Sequence, residues 1–62
     1  MNNCLSQIRD YYDEGFKCIK YEQNQNGEFV IYLKNFENEA IETLYCIDKQ
    51  EINEIKNFID LS

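Results

Sequence analysis

The side chains available for chemistry in this 62-residue chain are twelve carboxylates, three cysteines and a few hydroxyls, with no histidine. Paired carboxylates can perform acid–base or glycosidase chemistry, but they need a cleft that separates their pKa values. A nucleophilic cysteine needs a neighbouring base, which histidine usually supplies. Ser6, Thr43 and Ser62 stand apart from any triad, and Gly15 and Gly27 are isolated rather than part of a phosphate-binding loop. We therefore expect no enzymatic activity and no cofactor.

The cysteines Cys4, Cys18 and Cys46 are odd in number and irregularly spaced. They contain no C-x-x-C pair, so the sequence predicts no metal site. Secreted disulfide-rich domains usually carry an even number of cysteines, whereas a free cysteine behaves as a small buried hydrophobe. We expect three reduced cysteines and a reducing cytoplasm. A Cys18–Cys46 bridge between two strands is the alternative.

The charge is strongly acidic, with twelve Asp and Glu against six Lys and Arg and a net charge of -6. Such a surface repels nucleic acids and anionic membranes and favours a protein partner with a basic surface. No apolar run approaches the roughly 20 residues of a membrane span, and the N-terminus lacks a signal-peptide pattern. A nucleic-acid patch is the less favoured alternative, since acidic Glu22 and Glu28 flank its candidate residues, Lys17, Lys20, Lys34, Tyr21 and Tyr32.

Apolar residues at helical spacing predict a helix over Asn3 to Glu14, capped by Asn2 or Asn3 and ended by Gly15. Alternation then predicts three strands, at 16–22, 28–34 and 40–47, with Asn26-Gly27 suited to the first hairpin turn. In the first strand, Phe16 and Cys18 would face one side and Ile19 and Tyr21 the other.

A second helix begins at Asp48, where Asp48-x-x-Glu51 predicts a reciprocal capping box. Its buried stripe would contain Ile52, Ile55, Phe58 or Ile59, with Leu61 as a further candidate. We therefore predict an α+β fold, a helix–three-strand antiparallel meander–helix (αβββα), forming a single small domain over residues 1–62.

Two short helices can cover only part of a sheet that is apolar on both faces. If both helices lie on one face, the other exposes aromatic and aliphatic residues and could join two copies in a homodimer, through Tyr21, Val30, Tyr32 and Tyr45. One helix on each face is the alternative. An adaptor that takes up a partner strand at its sheet edge is a third hypothesis.

Carboxylates recur where the first helix ends, in the turn between strands two and three, and at the start of strand three: Asp10, Asp13, Glu14, Glu37, Glu39 and Glu42. On a rigid scaffold, such a group could imitate nucleic-acid phosphates and occupy a groove built from Arg and Lys. Charge that serves solubility alone is the alternative.

The chain resembles the small acidic type II-A anti-CRISPR proteins of prophages. The likeness lies in the opening Met1-Asn2-x-x-Leu5-x-x-Ile8-Arg9, in Phe16 entering the first strand, and in the turn Asn35-Phe36-Glu37-Asn38-Glu39. In that family, the corresponding turn enters the cleft with which an RNA-guided nuclease reads its PAM through arginines.

The resemblance implies Asn35, Asn38 and Glu39 as contacts, with Glu37 supplying further charge. Phe36 departs from the family, which has an acidic side chain there. The family also continues into a further acidic helix beyond the position of Ser62.

Overall fold

The computed structural model describes residues 3–61, in which the predicted αβββα order is confirmed as one α+β domain. The elements are helix α1 (Cys4–Asp13), strands β1 (Phe16–Gln23), β2 (Phe29–Asn35) and β3 (Ile41–Cys46), and helix α2 (Lys49–Leu61). Neither helix is long and apolar enough to cross a membrane. The predictions that involve Met1, Asn2 and Ser62 concern positions outside the described residues.

Helix α1 begins and ends as its sequence predicts. The Asn3 side chain accepts a hydrogen bond from the Ser6 amide at 2.7 Å, which satisfies one of the free amides of the first turn. Gly15 follows the last turn with φ +104°, a conformation that only glycine adopts without steric cost. The chain can therefore turn directly into β1.

The three strands form an antiparallel sheet in the order β1-β2-β3, with β2 in the centre. Both helices pack on the same face of this sheet, because Ile8 of α1 and Ile52 and Ile55 of α2 join one cluster with alternate β2 residues. These β2 residues are Phe29, Ile31 and Leu33, all fully buried. The alternative of one helix on each face is wrong.

The opposite surface, which we call the open face, carries no helix. Cross-strand register assigns to it Lys17, Lys20, Glu22, Val30, Tyr32, Lys34, Ile41, Thr43 and Tyr45. Tyr45 is 63% exposed, whereas Val30 is only 5% exposed in the middle of the central strand. Val30 is therefore not available at the surface as predicted.

Tyr21 is on the helix-bearing face instead of the open face. The register shifts between Cys18 and Lys20, so that Ile19 is an extra residue in β1, a β-bulge. Beyond it Tyr21 pairs with Ile31, and its ring contacts Phe29 at 5.2 Å between centroids. Strict alternation along β1 was the wrong prediction, because one inserted residue exchanges the two faces.

Helix α2 is capped at one predicted position but not reciprocally. The Asp48 carboxylate accepts hydrogen bonds from the amides of Gln50 (2.9 Å) and Glu51 (3.2 Å). Within residues 3–61, the Asp48 amide donates no hydrogen bond to the Glu51 carboxylate, so the second half of the capping box is absent. Leu61 is exposed and does not extend the buried stripe.

A disulfide joins Cys4 at the start of α1 to Cys46 at the end of β3. The expectation of three reduced cysteines is therefore wrong, as is the alternative Cys18–Cys46 pair. Leu33 of β2 stands opposite Cys18, while Cys46 stands opposite Phe29 at the other end of the sheet. With this disulfide, the cysteines no longer support a reducing cytoplasm as the location.

Cys18 is a free, half-buried thiol whose Sγ donates to the carbonyl of Lys20 at 3.5 Å. Burial raises the pKa of this thiol, and the backbone hydrogen bond lowers it by less. The thiolate is the reactive form of a cysteine, so Cys18 is a poor nucleophile at neutral pH.

Candidate functional site: an acidic end

Asn35, the last residue of β2, ties the end of α1 to the turn before β3. Its amide nitrogen donates to the Glu14 carbonyl at 3.2 Å, and its side-chain oxygen accepts from the amides of Glu37 (2.9 Å) and Asn38 (3.3 Å). Its backbone amide donates to the Ala40 carbonyl at 2.9 Å. One buried side chain, 4% exposed, thus holds together two segments that are far apart in sequence.

This connection places the predicted acidic residues at the same end of the molecule. Asp10, Asp13 and Glu14 lie in and after the last turn of α1, while Glu37 and Glu39 lie in the adjoining turn. Glu42 follows on β3, where pairing with Leu33 puts it on the helix-bearing face. All six carboxylates are exposed. We call these six residues the acidic end.

No ion pair within 4.0 Å involves the acidic end among residues 3–61. The one ion pair within 4.0 Å in this part of the chain is Lys20–Glu22 on the open face, with 2.8 Å between nitrogen and oxygen. The neighbouring lysines instead lie over aromatic rings, Lys17 over Tyr12 at 4.9 Å and Lys34 over Phe36 at 5.3 Å. Six of the twelve carboxylates therefore lie at one end of the molecule, and none of them forms an ion pair within 4.0 Å in the described part of the chain.

This arrangement costs stability. The C-terminal end of a helix carries partial negative charge, so acidic residues there are unfavourable by about 0.3–1 kcal/mol each. No basic residue offsets them in the last turn of α1. Glu39 also adopts a left-handed backbone conformation with φ 63°, which costs a non-glycine residue about 1–2 kcal/mol. A non-glycine residue in such a conformation suggests the hypothesis that this position has a function.

A shallow groove of about 260 Å³ opens beside the acidic end, lined by Gln7, Asp10, Tyr11 and Glu14. Its volume is below the roughly 300–1,000 Å³ typical of small-molecule sites. Two of its four lining residues are carboxylates, so the groove suits a protruding cationic side chain better than an apolar ligand.

The structure changes the predicted role of one turn residue and shows the surroundings of two others. Asn35 was predicted to contact a partner, but it is buried and all its side-chain bonds go to this chain, so it is a positioning residue. Asn38 is exposed and its side-chain oxygen accepts from the Ala40 amide at 2.9 Å. Phe36, which was predicted only as a departure from a family pattern, is 61% exposed at the edge of the acidic end.

A signal for the Asn35 role does exist in the sequence. Asparagine after a strand commonly bonds the backbone two or three residues ahead and begins a turn. The bond to Glu14 has no such signal, because it joins residues 21 positions apart.

The open face is a second candidate surface. Exposed Ile41 and Tyr45 alternate with Thr43 on β3, and half-buried Tyr32 lies beside them on β2. The ammonium group of Lys20 stands 5.8 Å from the centroid of the Tyr32 ring. The hydrogen bond and the charge of Glu22 raise the pKa of Lys20. Four residues were predicted for this face. Tyr32 and Tyr45 lie on it and are accessible to solvent, whereas Val30 is buried and Tyr21 lies on the other face.

Comparisons with protein-family models, with curated proteins and with solved structures find no match to this chain.

Proposed function

We propose that this protein is an inhibitor that blocks a basic nucleic-acid-binding groove on a host defence nuclease, with the acidic end as its contact surface. The observation that carries the proposal is the convergence of six exposed carboxylates from two segments, without a cation among residues 3–61 to pair them. The Asn35 hydrogen bonds hold together the two backbone segments that carry these charges.

Grooves that hold nucleic acid gain most of their affinity from Lys and Arg contacts to phosphates. Carboxylates on a protein scaffold can satisfy the same cations, and a matching charge pattern accelerates encounter. The exposed ring of Phe36 adds an aromatic group of the kind that dominates binding energy at protein interfaces. The acidic end thus supplies charge for steering, and the adjacent Phe36 supplies an apolar anchor.

An RNA-guided nuclease is the partner that the resemblance to type II-A anti-CRISPR proteins implies. Such a nuclease reads its PAM through arginines in the major groove of DNA. Glu37 and Glu39 occupy the turn that the resemblance assigns to this cleft, and both are exposed. We therefore include an RNA-guided nuclease in the proposal as the partner.

The test is capture of partners from nuclease-treated bacterial lysate on the immobilised protein, followed by elution with a salt gradient. The triple variant Glu37→Lys, Glu39→Lys and Glu42→Lys should lose capture while keeping its circular dichroism spectrum. The matched control, Glu28→Lys, Glu54→Lys and Asp60→Lys, changes the net charge equally at sites away from the acidic end and should keep capture.

The wild-type complex should dissociate as salt rises, because exposed charges are screened within about 8–10 Å at physiological ionic strength. Equal capture by the two triple variants would contradict the proposal, since binding would then depend on something other than the acidic end.

We also propose, as a second function, a homodimeric accessory protein that associates through the open face. The exposed pair Ile41 and Tyr45 on a helix-free surface favours it. Light scattering should then give a mass that rises with concentration, and Tyr45→Lys should abolish that rise whereas the control Asn53→Lys on α2 should not. A monomer at millimolar concentration would exclude this function.

A further inference from the structure

Three side chains of metal-binding type meet at the end of the molecule opposite the acidic end. Cys4 is the first residue of α1, Cys46 the last of β3, and Glu51 lies in the first turn of α2. Their two sulfurs and one carboxylate oxygen all lie within 4.8 Å of one another. Cys46 is 2% exposed, and Cys4 and Glu51 are half-buried. The cluster is thus partly shielded from solvent.

Helix capping does not explain the orientation of the Glu51 side chain. A glutamate at this position would ordinarily reach back to the amide of the capping residue, here Asp48. Instead its carboxylate lies beside the two sulfurs, and within residues 3–61 it makes neither a hydrogen bond nor an ion pair. A half-buried carboxylate next to two cysteine sulfurs is the arrangement expected of a ligand set.

The surrounding backbone favours negative charge at this place. Cys4 is the first residue of α1, and Glu51 lies in the first turn of α2, so the cluster is built on two helix N-termini, where the backbone carries partial positive charge. Two thiolates and a carboxylate would therefore be held where the backbone field supports anionic groups.

We propose that, once the Cys4–Cys46 disulfide is reduced, Cys4, Cys46 and Glu51 bind a thiophilic divalent cation, with Zn²⁺ as the best fit. Thiolates select Zn²⁺ over the oxygen-seeking Mg²⁺ and Ca²⁺. Zinc accepts cysteine sulfur and glutamate oxygen together in a tetrahedral site, and water would take the fourth position.

The chemistry balances in two steps. A thiol reductant gives two electrons and two protons to the disulfide, which becomes two thiols while the reductant becomes a disulfide. The cation then replaces the two thiol protons, which pass to solvent, and forms two metal–sulfur bonds and one bond to the ionised carboxylate.

The geometry requires little movement. The Cα atoms of Cys4 and Cys46 are 6.2 Å apart. Two sulfurs on one tetrahedral zinc, each about 2.3 Å from the metal, are separated by roughly 3.8 Å. That separation can be reached by rotating the cysteine side chains, so α1, β3 and α2 can keep their places. Either the disulfide or the metal would then join the same parts of the chain. This inference does not depend on the function proposed for the acidic end.

The test uses Co²⁺ as a spectroscopic probe in a Cys18→Ser background, so that only two thiols remain. The protein is reduced with a phosphine, which takes an oxygen atom from water and becomes a phosphine oxide while the two protons of that water pass to the two thiols. The reduced protein should bind one equivalent of Co²⁺ with a thiolate-to-cobalt charge-transfer band and the visible bands of tetrahedral cobalt. The oxidised protein should show neither band.

Glu51 is tested against a neighbouring carboxylate on the same helix. Glu51→Gln should weaken Co²⁺ and Zn²⁺ binding at least about tenfold, the smallest loss usual for groups that support a metal site. Glu54→Gln, which changes an exposed carboxylate, should have no effect. Zn²⁺ at 100 times its Kd should raise the Tm of the reduced protein by roughly 10–20 °C.

Three results would overturn the inference. The first is the absence of a charge-transfer band in the reduced protein. The second is equal affinity in the parent, in Glu51→Gln and in a Cys4→Ser, Cys46→Ser variant. The third is a reduced chain whose circular dichroism stays that of an unfolded protein when Zn²⁺ is added, because the three ligands would then never assemble.

Discussion

The two ends of helix α1 differ in how their residues affect stability. At its N-terminus, Asn3 caps the first turn, and a disulfide fixes Cys4 to the buried Cys46. At its C-terminus, three carboxylates oppose the helix dipole, and the neighbouring Glu39 has a left-handed backbone. The same short helix is therefore optimised for stability at one end and carries costs at the other.

This difference indicates where stability and binding are located. A 62-residue chain gains only roughly 3–5 kcal/mol from its core, so unfavourable charges at one end need compensation elsewhere. The disulfide and the cap supply it at the opposite end. The left-handed Glu39 belongs to the turn that the Glu39-to-Asn35 backbone hydrogen bond closes, but no basic residue offsets the carboxylates in the last turn of α1. Uncompensated charge of this kind is what a surface selected for a partner would show.

Removing the disulfide is the change with the largest expected effect. Cys4 and Cys46 are 42 residues apart, so chain-entropy estimates give the link about 4 kcal/mol. The double variant Cys4→Ser, Cys46→Ser should therefore lose most of its free energy of unfolding in urea when no divalent cation is present. A loss below about 1 kcal/mol would show that stability is not concentrated at this end.

Breaking the Asn35 connection should have the next largest effect. Asn35→Ala leaves the Glu14 carbonyl and two turn amides without their partner, which costs about 1–3 kcal/mol. Urea unfolding measures this loss, and Asn38→Ala, with one exposed bond, should lose less. Equal losses in the two variants would mean that Asn35 does not organise the acidic end.

Relieving strain at the acidic end should stabilise the protein and weaken its binding. Glu39→Gly removes the steric penalty of φ 63° but adds conformational entropy to the unfolded chain. The net gain in the free energy of unfolding should be about 0.5–1 kcal/mol. The urea midpoint should rise while capture of the partner falls. A variant that gains stability and keeps full capture would remove Glu39 from the contact surface.

The open face should contribute least to the free energy of unfolding. Its variants therefore serve as a reference for those at the two ends of α1. Glu22 raises the pKa of exposed Lys20, so their interaction supports folding below the unfolded lysine pKa and is lost as pH rises through the folded value. The small difference in urea midpoint between wild type and Glu22→Gln should therefore vanish at strongly alkaline pH. A difference that persists there would point to packing instead of charge.

Local chemistry made much of this fold predictable. The apolar run of β2, the Asn3 and Asp48 caps and Gly15 each act on near neighbours, and each is where the sequence indicates. The six carboxylates were also predictable as a group, because a meander returns its second turn to one end of the sheet.

The remaining features depend on contacts between distant residues. The bulge at Ile19 moves Tyr21 to the other face, and no residue type in β1 predicts this bulge. The Cys4–Cys46 link depends on how α1 lies across the sheet, which spacing along the chain cannot give. Asn35 was correctly placed near the acidic end but assigned the wrong role, since its burial follows from the approach of Glu14.

Competition with DNA shows whether the acidic end occupies a nucleic-acid-binding groove. A purified type II-A RNA-guided nuclease with its guide is titrated with a PAM-containing duplex at increasing concentrations of this protein. If the acidic end replaces phosphates, the apparent Kd of the duplex should rise in proportion to the protein concentration, and the Glu37, Glu39 and Glu42 lysine variant should have no effect. An unchanged Kd at a large excess of wild-type protein, or an equal effect of that variant, would contradict the account.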